Sequence, residues 1–499
     1  MSSFYGLEIG KTGLFHSKTA LNLIGHNIAN ADTAGFTRQR IIGQNIEPAS
    51  MITRFALATN ETTGGGVRVQ LIDQVRNPFV DRQIRSEYAD LGKYVTRTEE
   101  LLYVESFMNE GTDQSMSKSL SDFFDALSEF QKDPVNQEMR VVVQINAQKL
   151  VETFNHYHKQ LVEAQNLYND SINTTVMNIN ELADSIALYN KQIMAYELSG
   201  ETALDLRDQR NLLIDELSTL VNIDYEEDEL GRVNIFVGDN VPPHQLVEKS
   251  TAHHLQIALD DTEPSTGEDI YTVYMSDGVT ELQYSTGSLG GYKSLRDGNT
   301  MDNIGIPYFV DQINTLAQTL AVEFNKIHER GWTMQNGSTP SEQGILFFDD
   351  LGDPTTITAA NIKLSDDVKN DPFKIAASDE EIDFGASVDK RSNNKIALEL
   401  LALTSSVNVP TVGNFENYLK SIVVGVGTET ARSKKNMETQ SAVVQNLDQR
   451  RQSVSGVSND EEMINMVKYN HAYNAASRVI TAVDEQLDQV INRMGLVGR

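Results

Sequence analysis

From Val135 to Ile193 one apolar register runs for about sixty residues without a helix breaker. Val135, Met139, Val142, Leu161, Ala164, Tyr168, Thr175, Ile179, Leu182, Ile186, Tyr189 and Ile193 carry it, with Pro134 before it and Gly200 as a stop. A helix of that length spans roughly 90 Å, well beyond the width of a small domain. The fold must therefore be built along a rod. The 39% content of hydrophobic residues suits a body with thin cores and much surface.

Both ends of the chain carry thinner stripes. Leu7, Leu14, Leu21 and Ile28 recur every seven residues, with Ile24 between the last two. That spacing lays a narrow seam on one helix. Gly6, Gly10, Gly13 and Gly25 weaken the helix in isolation, each by roughly 1 kcal/mol against alanine. Without a partner the segment is marginal in water. At the other end Met466, Tyr469, Tyr473, Ala476, Ile480, Val483, Leu487, Val490 and Met494 step by threes and fours. The run SNDEE, 458–462, offers a capping residue and first-turn acids, where the helix dipole favours them. The simplest closed structure has the two seams bury each other in a coiled-coil-like end; the alternative is that each stripe packs on its own domain.

Between these ends the period changes several times. Helical spacing covers Ile84 to Leu102 after Asn77-Pro78, then Leu120 to Phe130, then 205–221. Alternating segments such as GRVNIFVGD and DIYTVYMSDG follow, ending in Gly or Asp turns. The expected organisation is an N-terminal helix and turn at 1–60, a helical body at 61–221, and an inserted antiparallel β domain at 222–298. A returning helix follows at 299–332, short strands and loops at 333–387, a second helical part at 388–455, and a terminal helix at 456–499. The fold class is mixed α and β and multidomain, a long helical coiled-coil-like body from both chain ends with an inserted antiparallel β domain.

The chemistry on offer is sparse. The net charge of −30 repels phosphate backbones, so no nucleic-acid partner is expected. The absence of cysteine excludes disulfides, thiolate metal sites and cysteine nucleophiles. The start lacks the charged-then-apolar pattern of a secretory leader, and no apolar run reaches a membrane span, so no membrane insertion is expected. TTGGGVR, 62–68, lacks the Lys and Ser/Thr of a phosphate loop and reads as a turning link. His156 and His158 point to different sides of a helix, and His253 and His254 to opposite faces of a strand. The acidic runs 224–229 and 260–269 lack calcium-loop spacing and read as solvated turns. No cofactor and no metal is expected, and the chain reads as no enzyme. An enzyme domain on a coiled-coil scaffold would need a clustered acid, histidine or metal constellation in the middle β region, and the sequence displays none. In LDLRDQR, 204–210, Asp205, Arg207, Asp208 and Arg210 read as ion pairs fixing the junction between the long helix and the next element.

The stretch GHNIANADTAGFTRQR, 25–40, remains. Asn27, Asn30 and Asp32 can bond their own backbone in turns, and Gly35 tolerates a left-handed conformation. Arg38 and Arg40 make a small positive patch on a negative molecule, suited to an acidic neighbouring subunit.

NIANADTAGFTRQR resembles the asparagine-rich motif of the flagellar axial (rod, hook and hook-associated) protein superfamily. Ala34 stands where that family usually has proline, and Asp32 where it often has asparagine. Arg38-Gln39-Arg40, LDLRDQR at 204–210 and SGVSNDEEMINMVKYNHAYNAASRVITAVDEQLD at 455–488 narrow the resemblance to the flagellar hook-associated protein 1 family, the hook–filament junction proteins. Another axial rod or hook protein is the alternative. The resemblance implies a secreted structural component that polymerises through its terminal helices into a ring of about eleven subunits. It implies as partners the hook protein, a second junction protein on the filament side, the flagellar secretion apparatus and an export chaperone at the C-terminus. It marks Leu7, Leu14, Leu21, Ile24, Ile28, Asn27, Asn30, Gly35, Arg38 and Arg40 as N-terminal assembly residues. Met466, Tyr469, Tyr473, Ile480, Val483, Leu487, Val490 and Met494 become C-terminal assembly and chaperone-binding residues.

Overall fold

A computed structural model describes residues 3–46, 65–108, 115–200, 202–336, 340–382, 388–406, 413–489 and 491. In chain order its elements are α1 (Ser3–Ala29), β1 (Gln39–Asn45), β2 (Val67–Gln74), α2 (Pro78–Met108), α3 (Met116–Phe130), α4 (Gln137–Glu197) and α5 (Leu204–Leu220). Next come β3 (Ile223–Glu227), β4 (Val233–Val237), β5 (His244–Glu248), β6 (Thr251–Ala252), β7 (Gln256–Thr262) and β8 (Asp269–Tyr274). The chain ends with α6 (Gly287–Asp297), α7 (Ile306–His328), α8 (Asp366–Asn370), α9 (Val388–Arg391), α10 (Lys395–Ser406), α11 (Phe415–Ser455) and α12 (Asn459–Asp488). These divide into one unit of Met1–Ala89, Asn178–Leu255 and Ser441–Arg499, and another of Asp90–Met177 and Gln256–Gln440.

The long apolar register is a single helix, α4, of 61 residues. Leu161, Ala164, Tyr168, Ile179, Ile186 and Ile193 are buried on it, but Val142 is 42% exposed while Val143 is fully buried. Leu182 and Tyr189 are half-buried beside the buried Ala183 and Asn190. A straight helix drifts about 20° per heptad, so a stripe counted by sevens slides off the buried face within a few turns.

In the first unit, β1 and β2 pair antiparallel with a bulge at Ile42/Gly43. β3, β4, β5 and β6 form a four-stranded antiparallel sheet in sequence order. Val233, Ile235 and Val237 alternate inward along β4. The second unit holds a separate hairpin, β7–β8, and a core in which α3 and α7 bring Phe123 and Phe324 within 5.5 Å between ring centroids. Phe347 sits 4.5 Å from Phe324. Arg140 is buried beneath Phe130 and donates to the carbonyls of Pro134 (2.9 Å) and Ile375 (2.6 Å).

Two expectations need correction. Strand ends at Tyr274, and 287–297 is helical although it lies inside the expected β region. Its sequence, GSLGGYKSLRD, has weak helix propensity, but a Cβ on Gly291 would stand 2.9 Å from Thr96 Cβ and 3.0 Å from Lys93 O. The missing side chain lets α6 lie against the α2 backbone, and packing overrides propensity. Around GILFFDD and TTITAANIKLS there is an isolated bridge, Phe348 to Leu364, and no strand among the described residues. A helical asparagine takes the strand partner's place. Asn325 Oδ1 accepts the N–H groups of Phe347 (3.0 Å) and Phe348 (2.9 Å), and its Nδ2 donates to Phe348 O (2.8 Å). His328 does likewise. Its Nδ1 lies 2.7 Å from Ile345 O, and Ala376 N–H donates to its Nε2 at 2.8 Å.

Candidate functional site

The first and last helices pair antiparallel, with Gly6 facing Val483, Gly10 facing Ile480 and His16 packed edge-on against Tyr469. The most buried line on α1 runs through Gly10, Ser17, Ala20, Ile24 and Asn27, with Gly6 and Gly13 half-buried on the same face and Gly6, Gly10 and Gly13 against α12. A Cβ on Gly10 would stand 2.9 Å from Ile480 Cγ1, so the Ile480 side chain lies directly on the α1 backbone there. Ser17 Oγ donates to Gly13 O at 2.9 Å, which satisfies the one hydroxyl on this line. Three of the four glycines that weaken α1 alone, Gly6, Gly10 and Gly13, are the residues that let α12 approach.

Leu7, Leu14, Leu21 and Ile28 are half-buried on the flank of this line, and Ile24 is 5% exposed. On α12, Tyr469, Tyr473, Ala476, Ile480, Val483 and Leu487 are half-buried on one face, while Met466 is 37% exposed at its margin. Val490 and Met494 lie outside the residues whose side chains are described. The expected seam on α1 is thus displaced by a fraction of a turn. Counting large apolar residues passes over glycine, which offers the closest packing of all.

The segment after α1 closes this pair. Asn27 is buried, and its side chain clamps the backbone of Gln39: Nδ2 donates to Gln39 O (2.9 Å) and Oδ1 accepts Gln39 N–H (3.1 Å). Only an amide of this length offers both a donor and an acceptor at that reach. Asn30 Nδ2 donates to His26 O (3.0 Å) and finishes the helix, and Gly35 turns the chain at φ +76°. A Cβ on Gly35 would also press on Leu212 at 3.4 Å.

Arg38 then reaches the start of α12. Its Nε donates to Glu462 Oε1 (2.8 Å), its Nη1 to Glu461 Oε2 (2.9 Å), and its backbone N–H to Ser455 O (2.9 Å). The Glu462 side chain is only 3% exposed. The expectation that Arg38 faces an acidic neighbouring subunit is therefore corrected, because its acids stand in its own chain. Arg40 has a single contact at 3.5 Å with Asp73, both exposed, and such pairs contribute little.

The LDLRDQR run supplies the other half of the closure. Asp205 accepts from Gln39 Nε2 (2.8 Å) and lies 3.4 Å from His26 Nε2. Asp208 Oδ2 accepts Thr37 N–H (2.9 Å), and Arg76 Nη1 lies 3.7 Å from its Oδ1. Burial pushes the Asp208 carboxyl up to about 6, with the Thr37 hydrogen bond and Arg76 opposing. Arg207 grips Glu197, the last residue of α4, through both oxygens (2.7 and 2.9 Å). Arg210 is buried and donates to Asn190 Oδ1 (2.9 Å) and Gly231 O. Desolvation lowers it to about 10.

Sequence reasoning missed three participants. Asp215 accepts from Arg85 Nε (2.7 Å) and Arg451 Nη1 (2.6 Å), tying α2, α5 and the end of α11 together. Glu461 and Glu462 were legible as first-turn acids, but nothing in their spacing pointed to Arg38, more than 400 residues away. Of the glycine run, Gly65 N–H donates to Ile46 O (2.7 Å) at the base of the β1–β2 hairpin, and 62–64 lie outside the described residues. His254 Nε2 lies 2.9 Å from Asp184 Oδ1. The arrangement as a whole is a mechanical closure of two chain ends.

Comparison with known proteins bears on the same segments. The family described as "Flagellar hook-associated protein FlgK helical domain" matches residues 101–348, and "Flagellar basal body rod FlgEFG protein C-terminal" matches 448–494. Flagellar hook-associated protein 1 of Bacillus subtilis (strain 168) is 32% identical over 521 residues, covering 100% of both chains. That of Escherichia coli (strain K12) is 25% identical over 560 residues, covering 96% of this chain and 98% of the relative. Among solved structures, the flagellar hook junction protein FlgK from Burkholderia pseudomallei aligns with a TM-score of 0.60 at 13% identity. That alignment covers 75% of this chain and 100% of the other, and at such identity the likeness is one of fold.

Proposed function

This chain belongs to the flagellar hook-associated protein 1 family, and from that premise we propose that its α1–α12 pair is the element by which copies polymerise into a ring at the hook–filament junction. Membership makes it a structural, secreted component of the bacterial flagellum and not an enzyme. The finer reading adds a ring of about eleven copies, closed by many shallow contacts that are weak singly and strong together. Hook protein lies on one side and a second junction protein on the other. A flagellar export chaperone covers the C-terminal helix until delivery through the secretion apparatus.

The observation that carries this reading is the coincidence of two facts about 448–494. The stretch matches a C-terminal family of axial proteins, and it contains the helix that meets the N-terminal segment at Gly10, His16 and Arg38. α1 is marginal without that partner, so on this reading a copy incorporates with its two end helices paired.

Adding purified chain to isolated hooks, with electron microscopy of the hook ends, tests the reading. The triple variant Ile480→Ser, Val483→Ser, Leu487→Ser is expected to keep its second unit folded and to lose addition. Normal addition by that variant overturns the role of the terminal pair. A second reading, as another rod or hook protein, draws on the rod-type description matched at 448–494. Preferential addition to rod ends rather than hook ends selects it.

A further inference from the structure

From Ile9 to Ala31, and again from Met463 to Val483, the chain has no Asp or Glu, although acids number 71 among 499 residues. These stretches contain Lys11, Lys18, Lys468 and Arg478 instead. The antiparallel pairing sets them side by side, with Gly10 against Ile480 and His16 against Tyr469. A molecule of net charge −30 repels its own copies, and these two stretches put a carboxylate-free surface on the terminal pair. Glu8 stands at the edge of the Leu7 end, and Asp460 and Glu461 at the edge of the Met463 end, where Lys11 and Lys18 of another copy can oppose them.

The same surface carries apolar side chains that the intramolecular pairing leaves unused. Met463, Ile464 and Val467 are 61%, 68% and 58% exposed, on the side of α12 turned away from the line through Tyr469, Tyr473 and Ile480. Together they present roughly 300 Å² of apolar surface, the level at which a patch on a monomer is often functional. A stable dimer needs about 800 Å² from each partner, so this patch suits a contact repeated around an assembly and not an isolated pair. A matching strip lies on α1, where Leu7, Leu14 and Leu21 are half-buried along a flank shared with Lys11 and Lys18. Two different complementary patches on one molecule give a contact that each added copy can make again.

We propose that Met463, Ile464 and Val467 of one copy dock on the Leu7–Leu14–Leu21 flank of a second copy of this chain. The inference rests on the assembly reading above and names its contact.

Two measurements on the full chain test it. Ile464→Glu with Val467→Glu places charge at exposed positions, so the melting temperature should stay within about 2 °C of wild type while addition to hooks weakens about tenfold or more. Leu102→Glu, at a 49% exposed position of the other unit, is the control and should add normally. Because the chain has no cysteine, Ile464→Cys can carry a single photoreactive maleimide. Irradiation after addition to hooks should give a two-copy product mapping to residues 1–31 of the second copy. If wild type fails to add to hooks, the assembly reading fails and this contact with it. If wild type adds and the double glutamate variant adds equally well, the contact is overturned while the reading stands. A crosslink to hook protein alone overturns the choice of occupant. Should the double variant melt early, the crosslink decides.

Discussion

Replacing Arg38 with alanine probes the closure where its energy is concentrated. The substitution leaves the Glu462 carboxylate, 3% exposed, without the guanidinium 2.8 Å away. Removing one partner of a buried ion pair costs about 3–5 kcal/mol. Arg38 itself is 23% exposed, so water recovers part of this, and the Glu461 contact, 62% exposed on the acid side, adds only about 0.5 kcal/mol. The expected loss is about 2–3 kcal/mol, confined to the opening of α12 from α1. Hydrogen exchange read residue by residue suits this better than a single melting curve, because two units need not unfold together. Amides in the middle of α12 should exchange about 30- to 150-fold faster, while those of α7 in the second unit stay at wild-type rates. Glu462→Gln keeps an acceptor and should cost about 1 kcal/mol, and the double variant should cost less than the two singles combined. Arg40→Ala should cost less than about 0.5 kcal/mol. If Arg38→Ala and Arg40→Ala raise α12 exchange equally and by under about twofold, Arg38 is not the clasp described here.

Further outcomes follow from the same geometry. His328 is buried between an N–H and a carbonyl, and desolvation lowers its pKa to about 4, so the unfolded chain takes up a proton near 6.5 that the folded unit refuses. Stability of the second unit should fall by up to about 3 kcal/mol as pH drops from about 6.5 to about 4, and His328→Gln should flatten that slope in urea titrations. Asp208, pushed up to about 6, has the opposite sign: the folded state holds the extra proton, so its contribution rises as pH falls from about 6 to 3.8, and Asp208→Asn should remove that rise from exchange at Thr37. Gly10→Val should destabilise the α1–α12 pair by about 1–3 kcal/mol, since its Cβ meets Ile480 at 2.9 Å. Gly25→Ala meets nothing within 4 Å and should stabilise by up to about 1 kcal/mol in thermal melts.

Helix positions were legible in the sequence because period and punctuation agreed. Asn77-Pro78 opens α2, Pro134 precedes α4, and Gly200 follows its end. The pairing of the first and last helices was one of two arrangements the stripes allowed, the other being packing of each on its own domain. What escaped were contacts made by small or polar groups. The α1 seam runs through glycines, which a count of apolar residues discards. Asn27, read as a turn former, is instead a helical clamp on the backbone of Gln39, and the same clamp recurs at Asn190 on Val233, Asn180 on Leu255 and Asn325 on Phe347 and Phe348. Such a clamp needs a donor and an acceptor at one distant backbone site, and no local spacing encodes that. Arg38 was singled out for its charge, and its partner went unseen for the same reason.

The antiparallel union of the opening and closing helices has a consequence for how the molecule is made. Its first helix can lean early on the β1–β2 hairpin alone and lacks its main partner until residues 459–488 have been synthesised, and a glycine-rich helix of this kind is marginal in water by itself. A ribosome that stops early therefore releases a chain whose leading edge cannot settle. Arrival of residues 459–488 is registered in the ordering of the first helix.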